Sequence, residues 1–192
     1  MPNKLSPQAS LNRHLLSIVR FGTREDVKTA LKNGADPHAR ASGCHSTALI
    51  MAAAHGNDEA VSVLLPLSDP LARDSAGKTA LMVAATKDHE GGVALLLKDG
   101  GPLEVDPKGM SSLALAALDG HIGSVLLLLP VSDMTQKNYV GRTAGDYARS
   151  CRVNAAIDCR AAFTAFEEAQ ALSAPLSLTV PSKVASGSKC TL

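Results

Sequence analysis

Thr47-Ala48-Leu49-Ile50-Met51-Ala52-Ala53 is answered 32 residues later by Thr79-Ala80-Leu81-Met82-Val83-Ala84-Ala85, and one step further by Ser111-Ser112-Leu113-Ala114-Leu115-Ala116-Ala117. A third step lands on Thr143-Ala144-Gly145-Asp146-Tyr147-Ala148-Arg149. The rest of the unit keeps the frame. Val61, Val93, Val125 and Ile157 are equivalent, as are the pairs Leu64-Leu65, Leu96-Leu97 and Leu128-Leu129, and Gly77, Gly109 and Gly141 stand two residues before the hydroxyl. An earlier copy sits at a step of 34, with Gly22 to Val27 over Gly56 to Val61 and Leu31 over Leu65. Its two extra residues fall between Gly34 and Ser46, where a loop absorbs them at small cost.

Each unit reads as helix, turn, helix, loop. Thr47, Thr79, Ser111 and Thr143 are N-caps, because a hydroxyl satisfies free N–H groups of a first helical turn. Gly56 and Gly120 end the first helix where a left-handed residue is wanted. Asp88 and Arg152 hold the same slot; Asp tolerates it and Arg fits it poorly. The second helix carries a Val and Leu stripe, and Pro66 and Pro130 help to stop it. The Asp-, Gly- and Pro-containing remainder suits a turn or hairpin finger. Ala52-Ala53, Ala84-Ala85 and Ala116-Ala117 let neighbouring first helices approach closely. A single unit would leave apolar faces bare, so several must stack.

This pattern resembles the ankyrin repeat. The carrying residues are Gly77, Thr79-Ala80-Leu81-Met82, Ala84-Ala85, Val93 and Leu96-Leu97, with Gly120-His121 as the Gly-His step of the next unit. The resemblance runs over about residues 11–171 and implies an all-α ankyrin-repeat solenoid of about five helix-turn-helix units with short fingers. Two departures are plain. The helix-opening Pro is replaced by Ala48, Ala80, Ser112 or Ala144, and the His by Ile50, Met82, Ala114 or Asp146, so apolar packing must stand in for Thr–His hydrogen bonding. The 32-residue unit is also one shorter than the usual repeat of about 33. This short-fingered Thr-Ala-Leu-Met form is similar to ankyrin proteins of parasitic protists.

The expected organisation is a flexible N-terminus over 1–10, units at about 11–44, 45–76, 77–108, 109–140 and 141–171, and a disordered tail over 172–192. The last unit is more polar, as a terminal cap should be. Its second helix is expected from about Asn154 to Ala171, with Ile157, Ala161, Ala165 and Phe166 available for packing. The tail is rich in Ser, Pro and Thr and has no acid.

Composition narrows the function. Nineteen basic against eighteen acidic residues give +1, which argues against nucleic acid or anionic membrane as a partner of the whole surface. Three Phe, two Tyr and no Trp offer little for base stacking. No stretch approaches the ~20 apolar residues that cross a bilayer, and the N-terminal segment lacks the features of a signal peptide. Four cysteines without metal-type spacing read as reduced thiols of a cytoplasmic protein, with the nucleus as the alternative compartment. The charge is uneven: residues 1–42 carry seven basic and three acidic groups, whereas 43–140 carry six basic and eleven acidic.

Chemistry-bearing motifs are few. Ala72-Arg73-Asp74-Ser75-Ala76-Gly77-Lys78-Thr79 satisfies a loose phosphate-loop pattern and makes a nucleotide-binding enzyme the alternative from another class. Such a loop needs a buried strand before it and a long helix after it, and Pro66 to Pro70 is a poor strand. The repeat already accounts for Gly77 and Thr79. His89 and His121 share a register and could meet, either as hydrogen-bonding turn residues or as metal ligands. No nucleophile, base and acid stand together, so no catalytic residue, cofactor or metal is assigned.

The resemblance implies a partner protein held on the concave face of fingers and first helices. By register, the finger positions are Ser46, Lys78, Met110 and Arg142. The first-helix positions are Met51, Val83, Leu115 and Tyr147, then His55, Lys87, Asp119 and Cys151. Exposed apolar side chains beside Lys and Arg would suit a protein contact. The expectation is a monomeric, non-catalytic scaffold or adaptor, with a kinase inhibitor or regulatory subunit as the alternative of the same class.

Overall fold

A computed structural model of the chain describes residues 6–99, 101–150 and 155–173. Among these residues ten α-helices follow in order: α1 (Pro7–Ile18), α2 (Arg24–Lys32), α3 (Ala48–His55), α4 (Asp58–Leu64), α5 (Ala80–Thr86), α6 (Glu90–Leu96), α7 (Ser112–Asp119), α8 (Ile122–Leu128), α9 (Ala144–Ser150) and α10 (Ala155–Ser173). They form five antiparallel pairs. The inner helices α3, α5, α7 and α9 pack in succession, and the outer helices α2, α4, α6 and α8 form a second row behind them. The all-α repeat solenoid expected from the 32-residue frame is the observed architecture.

The local chemistry repeats with the frame. The side-chain oxygens of Thr47, Thr79 and Ser111 accept from the N–H groups of Ile50, Met82 and Ala114. Gly56 and Gly120 close α3 and α7 in the left-handed region, at φ 66° and 78°. Asp88 holds the same slot after α5 at φ 57°. Helices α4, α6 and α8 are each preceded by a polar residue that reaches back one unit. Asn57 Nδ2 donates to the carbonyls of Val19 and Gly22. The Nε2 atoms of His89 and His121 lie 3.2 and 3.1 Å from the carbonyl oxygens of Ala54 and Thr86. Pro66 and Pro130 sit in single 3-10 turns, Leu65–Leu67 and Leu129–Val131, that finish α4 and α8.

Leu49, Leu81 and Leu113 are fully buried and form one internal column, with Ala52-Ala53, Ala84-Ala85 and Ala116-Ala117 between the inner helices. Leu64, Leu96 and Leu128 repeat this behind them. Burying such a side chain contributes about 1.5–3 kcal/mol relative to leaving it exposed. Small alanines at the contacts allow the close spacing at which these columns fill without voids.

Three expectations need correcting. Helix α1 starts at Pro7, with Ser6 as its N-cap, so residues 7–10 belong to the first helix and not to a flexible N-terminus. Proline at the first helical position loses no hydrogen bond and is preset for the helix. The last helix runs on to Ser173. It packs through Cys159, Phe163 and Phe166, whereas Ala161 and Ala165 face solvent. Cys151, Arg152 and the expected tail from residue 174 onward lie outside the described residues.

Candidate functional site

Three of the fingers are each built on one polar residue. Asp74 Oδ1 accepts from the N–H groups of Ala76 and Lys78, Asp106 Oδ1 from those of Lys108 and Met110, and Asn138 Oδ1 from those of Val140 and Arg142. A carboxylate or amide oxygen between two turn N–H groups fixes the loop as a backbone turn would. Finger tips then touch: Ser75 N donates to Cys44 O, and Tyr139 N to Lys108 O. Pro107 holds the same position in the third finger and has no N–H to give. Its ring lies instead against Gly77, where an added Cβ would approach to 2.4 Å.

These bonds leave the phosphate-loop alternative without support. The N–H groups that would cradle phosphates are already taken within the protein: Ser75 N by Cys44 O, Gly77 N by Asp74 O, and Ala76 N and Lys78 N by Asp74 Oδ1. Among the described residues no strand precedes the loop, and α5 after it has only seven residues. Asp74, Gly77 and Thr79 make a finger, a left-handed turn and a helix cap.

Between the fingers and the inner helices lies a cleft of about 640 Å³. Lys78, Met110, Leu115, Asp119 and Tyr147, all expected at the surface, come together in its lining. The structure corrects part of that set. Ser46, Met51, Met110 and Leu115 are buried. Val83 and Lys78 are half-buried; His55, Lys87 and Asp119 are exposed. Arg142 is exposed and sits over the Tyr147 ring, 5.8 Å from its centroid. The Tyr147 hydroxyl meets Asn138 Nδ2 at 2.6 Å. His55 stands apart: its Nδ1 lies 2.9 Å from Met51 O and its ring meets Phe21 edge-on, with centroids 5.5 Å apart.

The mouth of the cleft is formed by residues absent from the register-derived set. Tyr139 is 78% exposed, Val140 is 80% exposed, and Leu118 opens beside them, with Lys108 on the rim. Their periodic equivalents, Ser75 and Pro107, then Ala76 and Lys108, are chemically unlike them, so no repeat signal marked them. Their apolar character next to the Asp-Asn finger residues was the only available cue.

A second cleft, of about 710 Å³, opens at the other end between α1 and the first finger, and Met51 lies in its floor. The two histidines of one register do not meet as a ligand pair, since each reaches back to a carbonyl of the preceding unit. Among the described residues no three His, Cys, Asp or Glu side chains gather as metal ligands. No helix among them is long and apolar enough to cross a membrane.

Against known proteins, residues 15–106 match the family model for ankyrin repeats, in three copies. A search of curated proteins finds no match.

Proposed function

We propose that this chain, an ankyrin-repeat protein and so a member of a class of protein–protein interaction modules, is a non-catalytic scaffold or adaptor that holds a partner protein in the cleft above α7 and α9. The observation that carries the reading is the pair Tyr139 and Val140. Two large apolar side chains stand almost fully in solvent at the mouth of a preformed, partly apolar cleft. Tyr is a typical anchor of protein interfaces, and Val140 adds exposed apolar area beside it. Lys78, Lys108 and Asp119 line the cleft and Arg142 sits over the ring of Tyr147, giving charges that would set orientation more than affinity. The protein is read as a monomer acting in the cytoplasm.

The test is affinity capture with the full chain and with a Tyr139→Ala/Val140→Ser variant, followed by mass spectrometry. Both positions are exposed, so the variant should unfold at the wild-type temperature. A partner that binds the wild type and is lost from the variant supports the assignment. Identical captured sets from the two proteins would remove this cleft from the function.

A further inference from the structure

We infer that the cleft at the N-terminal end is a separate docking site for an acidic peptide segment of a partner protein, one in which carboxylates flank an aliphatic side chain. The site lies outside the Tyr139 cleft and does not depend on it.

One face of α1 and the turn after it supplies most of the wall. Ala9, Arg13, Leu16, Ser17 and Arg20 recur at helical spacing and all line the cleft. The first finger closes the other side with Arg40, and Met51 lies beneath. Three arginines therefore line one concavity, and no Asp or Glu is among the residues lining it. None of the three makes an ion pair with a described residue. Arg40 is held in place: its Nη1 donates to the carbonyls of His45 and Arg73, both at 2.8 Å. Those acceptors are neutral, so its charge is positioned but not cancelled. Like charges in one concavity attract anions and are relieved by them. Arg also presents a planar fork that matches a carboxylate in a bidentate pair.

The floor decides what kind of anion. Leu16, Ala39, Ala41 and Met51 are apolar, and Phe21, 84% exposed, stands at the edge. A cleft of about 710 Å³ would be largely empty around a lone small anion. It suits several side chains, with an aliphatic one on the floor. A single edge aromatic gives no platform for stacked bases, and a planar bilayer does not reach the floor of a concavity. The basic balance of residues 1–42 against the acidic balance of 43–140 gives the same polarity over a longer range, so an acidic segment is steered to this end.

The test is fluorescence anisotropy with the full chain and a short labelled peptide alternating Asp-Glu pairs with Leu. The comparison probes replace the acids by Asn-Gln, the Leu by Ser, or the peptide by single-stranded oligo-dT. Saturable binding of the acidic Leu peptide that weakens as salt rises is expected. Both the Asn-Gln and the Ser peptides should bind at least about tenfold more weakly. Arg13→Gln/Arg20→Gln should cost a similar factor while thermal unfolding stays at the wild-type temperature, and Lys98→Glu should leave binding unchanged. Equal binding of acidic and neutral peptides, tighter binding of oligo-dT, or insensitivity to the double Arg variant would each overturn the assignment. Tyr139→Ala/Val140→Ser should leave this binding intact, so failure here is distinguishable from failure of the first cleft.

Discussion

Arg73 donates through Nη1 to the main-chain oxygen of Val105, 2.7 Å away in the next finger. The same nitrogen gives to Gly77 O in its own finger, and Nη2 meets Glu104 Oε2 at 2.6 Å. Arg40 relates in the same way to Arg73 O and His45 O. Two arginines thus staple three fingers in sequence. The series stops at Val105, which stands where a third arginine would, and the Tyr139–Lys108 main-chain bond carries the fourth finger instead.

Replacing Arg73 by Gln should therefore loosen the second and third fingers together. Two main-chain carbonyls lose a charged donor, at about 1–2 kcal/mol in all. The melting temperature should fall by about 2–6 °C for a domain of this size. Glu104→Gln removes only a partly exposed ion pair and should cost under about 1 kcal/mol. A scan in which Glu104→Gln proved the more damaging change would contradict the stapling role of the carbonyl bonds.

Leu81 stands in the middle of the internal column, fully buried between Leu49 and Leu113. Leu81→Ala should cost about 2–5 kcal/mol, through lost burial and a cavity. Leu81→Asp puts an unpaired charge between stacked helices and should unfold much of the array, since each unit is stable only against its neighbours. Urea unfolding followed by circular dichroism reads both. A near-wild-type transition for Leu81→Asp would mean that the column does not carry the stacking.

Gly56 is constrained twice. Its φ is +66°, and a Cβ there would come 2.6 Å from His89 Nδ1, displacing the ring that reaches Ala54 O. Gly141 has φ +80° but open space around it. Gly141→Ala should thus cost only the left-handed conformation, about 1–2 kcal/mol. Gly56→Ala should cost more, about 2–3 kcal/mol. Equal losses in thermal unfolding would argue against the inter-unit histidine contact.

The 32-residue frame made the inner helices legible, because Thr47, Thr79 and Ser111 are caps whose position is forced by backbone geometry. It also located the left-handed slots of Gly56, Asp88 and Gly120. What the frame could not convey was how deep each position sits. Register put Met51, Met110 and Leu115 on the concave side, yet they are buried in the floors of the clefts there. Function in a repeat array sits where the units differ, and a periodic reading averages such positions away. Tyr139 and Val140 are of that kind. So are Arg13 and Arg20, which lie in the first helix before the strict repeat begins. Arg40 and Arg73 escaped notice for a simpler reason: they are 33 residues apart, one more than the period.

Asp146 links the last unit to pH. It accepts from the N–H and hydroxyl of Thr143, while Arg149 Nη2 lies 3.0 Å from its other oxygen. The Thr143 N–H first, then the Arg149 guanidinium and the Thr143 hydroxyl, lower its carboxyl from 3.8 to about 2. The folded value lies below the unfolded one, so this contribution is complete above about pH 4 and is lost as pH falls towards 2. Asp146→Asn should therefore flatten the pH dependence of stability in that window and leave it unchanged near neutrality. Amide exchange in α9 followed from pH 5 to 2 would detect this, and the same acid sensitivity in variant and wild type would remove Asp146 from the account.

The finger turn offers a substitution already written into the chain. Asp106 is buried, and its Oδ1 takes the N–H groups of Lys108 and Met110. One unit later Asn138 does the same with an amide oxygen, and its spare Nδ2 finds the Tyr147 hydroxyl and Met110 Sδ. The geometry therefore needs an acceptor between two N–H groups and does not need a charge. Asp106→Asn should change stability by less than about 1 kcal/mol, since both N–H groups keep a partner. Asp106→Ala leaves them without it at the edge of the cleft and should cost about 1–3 kcal/mol. Lys108 and Met110 amides should then exchange faster with solvent, while those of α5 are unaffected. If Asn proved as damaging as Ala, the charge on Asp106, and not its hydrogen bonds, would be what holds the third finger.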